Sequence, residues 1–337
     1  MKNQQRFNFG IVAPPACGGT SHMRTECLIE GDRPVIDVCV RCLHLLSREV
    51  FRLKTRSGDH SEDNDSEEDH EPVASLQIGS EMYQTWQEAV ERDVRAESLQ
   101  VTDLVGRFHS IEFSFAANQD SKTIYDEDKN PHGLVARRQE AVEGTIALRA
   151  ESMKDGHWKV CVEIKNTTSL PMQPESSSGS KASSLKSSEI SRSHRNEGLL
   201  SSLVSTHTIL GVRDGQFVSL LDPTETCAES AAKCNNVGTW PVLVGMVGQR
   251  DMLLSSPIIL YDYPQIAPES DGDFYDGLEI DEMLALRVMT MTDEEKREMR
   301  QTDIRARQIL ERTEGMLSGE LQKLHGAIRH LKPSKRS

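Results

Sequence analysis

The sequence predicts an α+β fold: a small cysteine-rich N-terminal module, a β-sandwich-like or mixed sheet region, and C-terminal helices. Three observations predict it. Four of the seven cysteines, Cys17, Cys27, Cys39 and Cys42, lie close together near the N-terminus. In the middle of the chain apolar residues alternate with polar ones, at Ile111, Phe113 and Phe115, at Ile146 and Leu148, and at Trp158, Val160, Val162 and Ile164. That period of two places them on one face of strands. Towards the C-terminus, Met283, Leu286 and Met289, and then Leu317, Leu321, Leu324 and Ile328, recur at helical spacing.

Composition bounds the function. Hydrophobic residues make up 36% of the 337 residues, below the usual globular share, so the folded part is expected to be smaller than the chain. A formal charge of −14 argues against nucleic-acid binding, because neutralising phosphates needs clustered Lys and Arg, and these cluster only between Lys323 and Arg336. No apolar run approaches the roughly 20 residues that span a bilayer. The N-terminus lacks the uninterrupted apolar core of a secretory signal. A cytoplasmic protein without a membrane span is expected, and an odd number of cysteines with a single CxxC pair fits reduced thiols and metal binding better than a disulfide framework.

The N-terminal module is read over residues 1–56. Val35, Ile36 and Val38 favour a strand, while Leu45, Leu46, Val50 and Leu53 recur at helical intervals, so Cys39-Val-Arg-Cys42 is expected at a strand-to-helix junction. A two-residue gap there lets both sulfurs turn towards one ion. With Cys17 and Cys27 they would complete the tetrahedron of a structural zinc, which leaves no open position for catalysis. His22 or His44 can replace one thiol. A redox pair and ordinary half-buried cysteines are the alternatives, the former weakened by Val and Arg between the sulfurs.

The next segments follow in order. Residues 57–78 are expected to be a disordered acidic linker, since Asp59 to Glu71 holds eight carboxylates and no Lys or Arg. A helical bridge is expected over 79–105, because Met82, Tyr83, Trp86 and Val90 share a helix face, with Trp86 as its packing anchor. The β region covers 106–170, with an Asp155-Gly156 turn, and a disordered serine-rich insertion covers 171–198. A mixed α/β core spans 199–290. In it Leu203–Val212 and Phe217–Leu221 read as a hairpin about Asp214-Gly215, Glu225–Lys233 as a short helix, and Trp240–Gly245 and Pro257–Tyr261 as buried strands. His207 is read as a structural histidine, since no nucleophile elbow accompanies it. C-terminal helices and a basic tail take up 291–337, where Thr292 and Glu295 have capping-box spacing.

The densest stretch runs from Ser255 to Met283. Tyr261, Tyr263, Phe274 and Tyr275 stand among carboxylates, and Pro257, Pro264 and Pro268 restrict the backbone. Tyr261, Asp262, Tyr263, Glu269, Asp273, Phe274, Asp276 and Glu279 are read as an interaction surface, tyrosines within a polar rim. An acid-enriched helix start and a carboxylate metal or catalytic site are the other readings.

Ser202-Leu-Val-Ser-Thr-His-Thr, Phe217-Val-Ser-Leu-Leu-Asp-Pro, Asn236-Val-Gly-Thr-Trp-Pro-Val-Leu-Val-Gly, Ser255-Ser-Pro-Ile-Ile-Leu-Tyr-Asp-Tyr-Pro, Ile266-Ala-Pro-Glu-Ser and Glu279-Ile-Asp-Glu-Met-Leu-Ala-Leu-Arg stand in the same core. Together they resemble an accessory protein family encoded beside high-affinity nickel-iron uptake hydrogenases. The likeness extends more weakly to Thr85-Trp-Gln-Glu-Ala-Val-Glu-Arg and Gly133-Leu-Val-Ala-Arg-Arg-Gln, and the acidic and serine-rich segments depart from it. It implies a non-catalytic accessory or assembly role in contact with a hydrogenase subunit or maturation factor, and it transfers no catalytic residues. A carboxylate-based enzyme using His207, and a cysteine-based redox or metal-delivery protein, are the alternatives.

Overall fold

The computed structural model describes residues 10–17, 20–54, 70–79, 81–153, 156–170, 198–265, 288–302 and 304–315. Strands dominate them: β1 (His22–Glu30), β2 (Val35–Leu53), β3 (His70–Val73), β4 (Ser75–Ile78), β5 (Glu81–Gln84), β6 (Trp86–Gln100), β7 (His109–Phe115), β8 (Asn118–Tyr125), β9 (Pro131–Gln139), β10 (Val142–Ser152), β11 (His157–Asn166), β12 (Leu203–Arg213), β13 (Gln216–Val218), β14 (Trp240–Leu243) and β15 (Met252–Ser256). The helices are short: α1 (Ala228–Ala231), α2 (Asp293–Thr302) and α3 (Ile304–Gly315). The α+β expectation is therefore corrected to a mostly β chain with large antiparallel sheets.

Two compact units divide the chain. The larger holds residues 1–48, 86–121 and 136–264. In it a five-stranded sheet, ordered β13-β1-β11-β10-β7, shares one apolar core with the sheet that runs β14-β15-β12-β2 and carries β6 on β2. Among the described residues the pairs β1–β11, β1–β13, β10–β11, β10–β7, β12–β15, β12–β2, β14–β15 and β2–β6 are antiparallel, which corrects the expected mixed sheet, and one isolated parallel bridge joins Val105 and Ala150. Alternation explains the core. On β1, Met23, Cys27 and Ile29 face inward, while Leu28 sits in a separate small apolar cluster on the other face. Phe217, fully buried in β13, pairs with Ile29, and burying a ring of that size stabilises by about 2–3 kcal/mol. Thr25, Thr239 and Ser255 also lie inside, where Ser255 bonds both neighbouring hydroxyls at 2.7 Å and so offsets the cost of burying them.

Several local expectations change with the fold. The periodic residues Leu45 to Leu53 continue β2 rather than starting a helix, and residues 81–100 form β5 and β6 rather than a helical bridge. A four-residue spacing serves a helix face and, being even, one face of a strand equally well, so pairing decided between them. Trp86, expected as an anchor, is exposed at the start of β6. The supposed N-terminal module is no separate body, since β1 and β2 are central strands of the two sheets. Residues 70–78 of the supposed acidic linker form β3 and β4. The Asp214-Gly215 turn does not close a hairpin: β12 pairs with β2 and β15, whereas β13 pairs with β1 in the other sheet, so the turn carries the chain across the core. Pro257–Tyr261 lies just past β15, because Pro257 has no N–H to continue the ladder.

The smaller unit holds residues 49–85, 122–135 and 265–337. Val50, Leu76, Ile124 and Val135 make its core, with Val73, Ile78 and Tyr83 packed on them. The Thr85 hydroxyl accepts the Val50 N–H at 2.9 Å and donates to the Val73 carbonyl at 2.8 Å, holding together the three chain segments that Thr85, Val50 and Val73 belong to. Helix α2 begins at Asp293, where the Thr292 carbonyl accepts the first bond, from Lys296. The acidic residues 59–69, the serine-rich 171–197 and the periodic Leu317 to Ile328 lie outside the described residues.

Candidate metal centre

The four cysteines expected to share a zinc ion are spread across the larger unit. Cys17 is exposed in a short 3-10 turn, Pro15–Cys17. Cys27 faces the core from β1, and Cys42 faces it from β2, whereas Cys39, three residues before Cys42 on the same strand, points to the opposite face. Residues three apart along a strand lie about 10 Å apart, beyond the roughly 7 Å limit for a disulfide. The CxxC pair is thus neither a ligand clip nor a redox couple within this strand. Burial pushes the Cys27 thiol well up and Cys42 up to about 12, so both hold their protons. His44, a suggested substitute ligand, is buried with its Nδ1 2.6 Å from the Gln139 amide, and burial with the nearby Arg92 lowers its pKa. His22, the other substitute, opens β1 opposite Lys165.

A different group meets the requirement. Among the described residues, Glu30, His157 and Cys227 are the set of three whose ligand atoms all lie within 4.8 Å of one another. Register brings the first two together: Glu30 ends β1 directly opposite His157, which opens β11, so both side chains stand on the outer face of the five-stranded sheet. Cys227 arrives from above. It immediately precedes α1, and its chain segment is tied down by the 2.7 Å bond from the Asn235 amide to the buried Glu26 carboxylate and by reciprocal backbone bonds between Arg24 and Val237. Leu28, Val218, Leu220, Met153, Ala231 and Cys234 pack around Cys227 beneath this segment.

The geometry is that of a small ligand cage. His157 Nε2 lies 3.2 Å from Glu30 Oε1 and 3.2 Å from Cys227 Sγ, and Sγ lies 3.7 Å from Oε1. Ligand bonds of about 2.0–2.3 Å at tetrahedral angles around zinc place donors about 3.4–3.6 Å apart, so the three atoms fit edges of such a tetrahedron. The Thr224 hydroxyl donates to the sulfur at 3.1 Å. Arg250 donates from Nη2 to Glu30 Oε2 at 2.7 Å and from Nε to the Phe217 carbonyl at 2.8 Å, which leaves Oε1 facing the other two donors. Burial raises the Glu30 carboxyl, but bonds from His157 and Arg250 outweigh it and hold the group below its ordinary range, ionised and ready to ligate. Gly215 permits this arrangement, since a side chain there would run into the Glu30 carbonyl, 2.7 Å from where its Cβ would stand.

Sequence reasoning missed all three residues. Glu30 and His157 are 127 positions apart, and His157 and Cys227 are 70 apart, so no spacing rule joins them. The available signal was the pairing of β1 with β11, which the alternating pattern marks as strands without saying which neighbours which.

The expected interaction surface is described in part. Tyr261 is 84% exposed. Asp262 is engaged internally, accepting from the Ser219 hydroxyl and, at 2.8 Å, from the Leu243 N–H. Tyr263 packs on the core and donates from its hydroxyl to the Gln249 carbonyl at 2.9 Å. Glu269, Asp273, Phe274, Asp276 and Glu279 lie outside the described residues. His207 sits in β12 with Nδ1 2.7 Å from the Ser205 carbonyl, and burial lowers its pKa. No helix among the described residues is long and apolar enough to cross a membrane. No protein-family model and no curated protein matches the chain.

Proposed function

We propose that this protein is a non-catalytic accessory protein that holds one divalent transition metal, zinc by preference, between Glu30, His157 and Cys227. The observation that carries the reading is the set of donor separations, 3.2, 3.2 and 3.7 Å, reached by one thiol, one imidazole and one carboxylate. Such a mixed soft and hard donor set suits zinc or a neighbouring first-row ion and is a poor site for magnesium or calcium, which take oxygen ligands. The role of the ion is to tie the 219–237 segment to the outer face of the sheet. Native mass spectrometry of protein refolded with zinc tests it: one ion per chain is expected, and none in Cys227→Ala or His157→Ala. Chains of either variant that keep one tightly bound zinc would contradict it.

A contact role is favoured by a second observation. Three segments of the larger unit are stitched together, by Ser219 to Asp262, by Tyr263 to the Leu243 carbonyl and by Tyr263 to Gln249. They carry exposed apolar side chains: Tyr261 at 84%, Val247 at 76% and Met246 at 72%. Rigid, exposed aromatic and apolar groups are the material of interface hot spots. With the resemblance to a family encoded beside nickel-iron hydrogenases, this supports a surface that meets a hydrogenase subunit or maturation factor. Pull-down with purified hydrogenase subunits should weaken on changing Tyr261, Met246 and Val247 together to Ser. Undiminished capture would remove this surface from the account.

A further inference from the structure

The Glu30, His157 and Cys227 group supplies three donors, and the side on which it opens is chemically distinctive. His157 and Cys227 are buried, whereas the side chains of Glu30 and Arg250 are 38% and 31% exposed. A fourth ligand therefore arrives past Arg250. That guanidinium has five N–H donors, of which Nε and one on Nη2 are engaged by Phe217 and Glu30; Nη1 has no partner among the described residues.

Charge points the same way. Without metal, the Glu30 carboxylate and the Arg250 guanidinium cancel. With a divalent ion bound, Cys227 must be a thiolate and His157 neutral, so the ion, the thiolate, the carboxylate and Arg250 sum to one positive charge. The protein as a whole carries −14, so an attraction for an anion at this site depends on the local positive charge that the bound metal adds.

We infer, on the premise of the metal reading above, that the loaded site takes a small oxyanion, one oxygen filling the open coordination position and a second held by the free edge of Arg250. A carboxylate and a phosphate share this chemistry, since both offer two oxygens at the spacing a guanidinium edge and a metal can bridge. The ion then serves as a metal-gated anion receptor as well as a tie.

The test uses full-length protein loaded with cobalt(II), whose visible absorption reports coordination. Acetate and inorganic phosphate are titrated separately at constant ionic strength, and the same titrations are followed by calorimetry on metal-free protein. A saturable change of the cobalt bands with either anion, absent from the metal-free protein, is expected, and the anion that binds tighter identifies the class. Arg250→Gln, examined at cobalt concentrations that saturate it, should bind that anion about tenfold more weakly, the worth of one charge-assisted hydrogen bond. Arg250→Lys should recover part of that loss. Cobalt bands that form normally but ignore both anions would overturn the anion inference and leave the metal site standing. Failure of the wild-type protein to develop cobalt bands would overturn the metal reading itself. Equal anion affinity in Arg250→Gln would contradict the part given to Arg250.

Discussion

Two regions of the larger unit make an instructive pair. Cys39 and Cys42 have the sequence spacing of a ligand clip and sit on opposite faces of β2. Glu30, His157 and Cys227 have no spacing at all and stand within 3.7 Å of one another along the edges through Sγ and Nε2. The difference is backbone geometry. A CxxC motif converges only where the chain turns, and within an extended strand the same four residues hold the sulfurs apart. Strand register, by contrast, sets distant residues side by side.

Removing a thiol from each region in turn separates them most clearly. Cys227→Ala should abolish the gain in stability from added zinc, about 4 kcal/mol at a free concentration 1,000 times the dissociation constant, while Cys39→Ala should leave it intact. Thermal melts with and without zinc check this. Next comes the apolar side of the pair: Cys42→Ser places a hydroxyl in the core and should cost about 1–3 kcal/mol in urea unfolding, with the zinc increment unchanged. A Cys42 variant that lost the zinc increment would return the CxxC pair to consideration.

Acid should separate the regions too. The Glu30 pKa is lowered on folding, so its stabilisation is present above its ordinary value of 4.5 and is lost as the pH falls through the lower folded value. His44 and His207 also have lowered values, so their contribution is complete above 6.5 and declines as the pH falls below it. Release of the proposed metal adds to this on the same side, because metal binding weakens as the pH falls. Stability followed from pH 8 to pH 4 should fall in the metal-free protein and fall further, by the whole metal increment, in the loaded one. The smallest effect belongs to the exposed loop: Tyr261→Ala should change stability by less than about 0.5 kcal/mol, since the ring is 84% exposed.

How much of this was legible in the sequence follows from the kind of signal each part leaves. Ile111 to Phe115, Ile146 with Leu148, and Trp158 to Ile164 alternate over short runs, and β7, β10 and β11 lie where that alternation places them. Met82 to Val90 and Leu45 to Leu53 repeat at intervals of three, four and eight, a spacing that fits a helix face. Four and eight are even, so a strand buried on one face satisfies most of the pattern, and β2, running 19 residues, is far longer than a typical strand. The crossing at Asp214-Gly215 was invisible because the dipeptide marks a sharp turn and not which sheet receives the next strand. Tyr261, Asp262 and Tyr263 were picked out by their residue types, yet their roles diverge: Asp262 is consumed in holding the loop to Ser219 and Leu243, and Tyr261 alone is presented outward. The metal group needed the β1–β11 register and a segment some 70 residues further on, and both are properties of the fold.

In the proposed site one metal ion is held by one thiol, from Cys227, and not by the CxxC pair. Cobalt-loaded protein decides it through the sulfur-to-cobalt charge-transfer band in the near ultraviolet. A band of single-thiolate intensity that persists in the Cys39→Ala, Cys42→Ala double variant and disappears in Cys227→Ala is expected. A band of multiple-thiolate intensity, lost in the double variant and retained in Cys227→Ala, would contradict it.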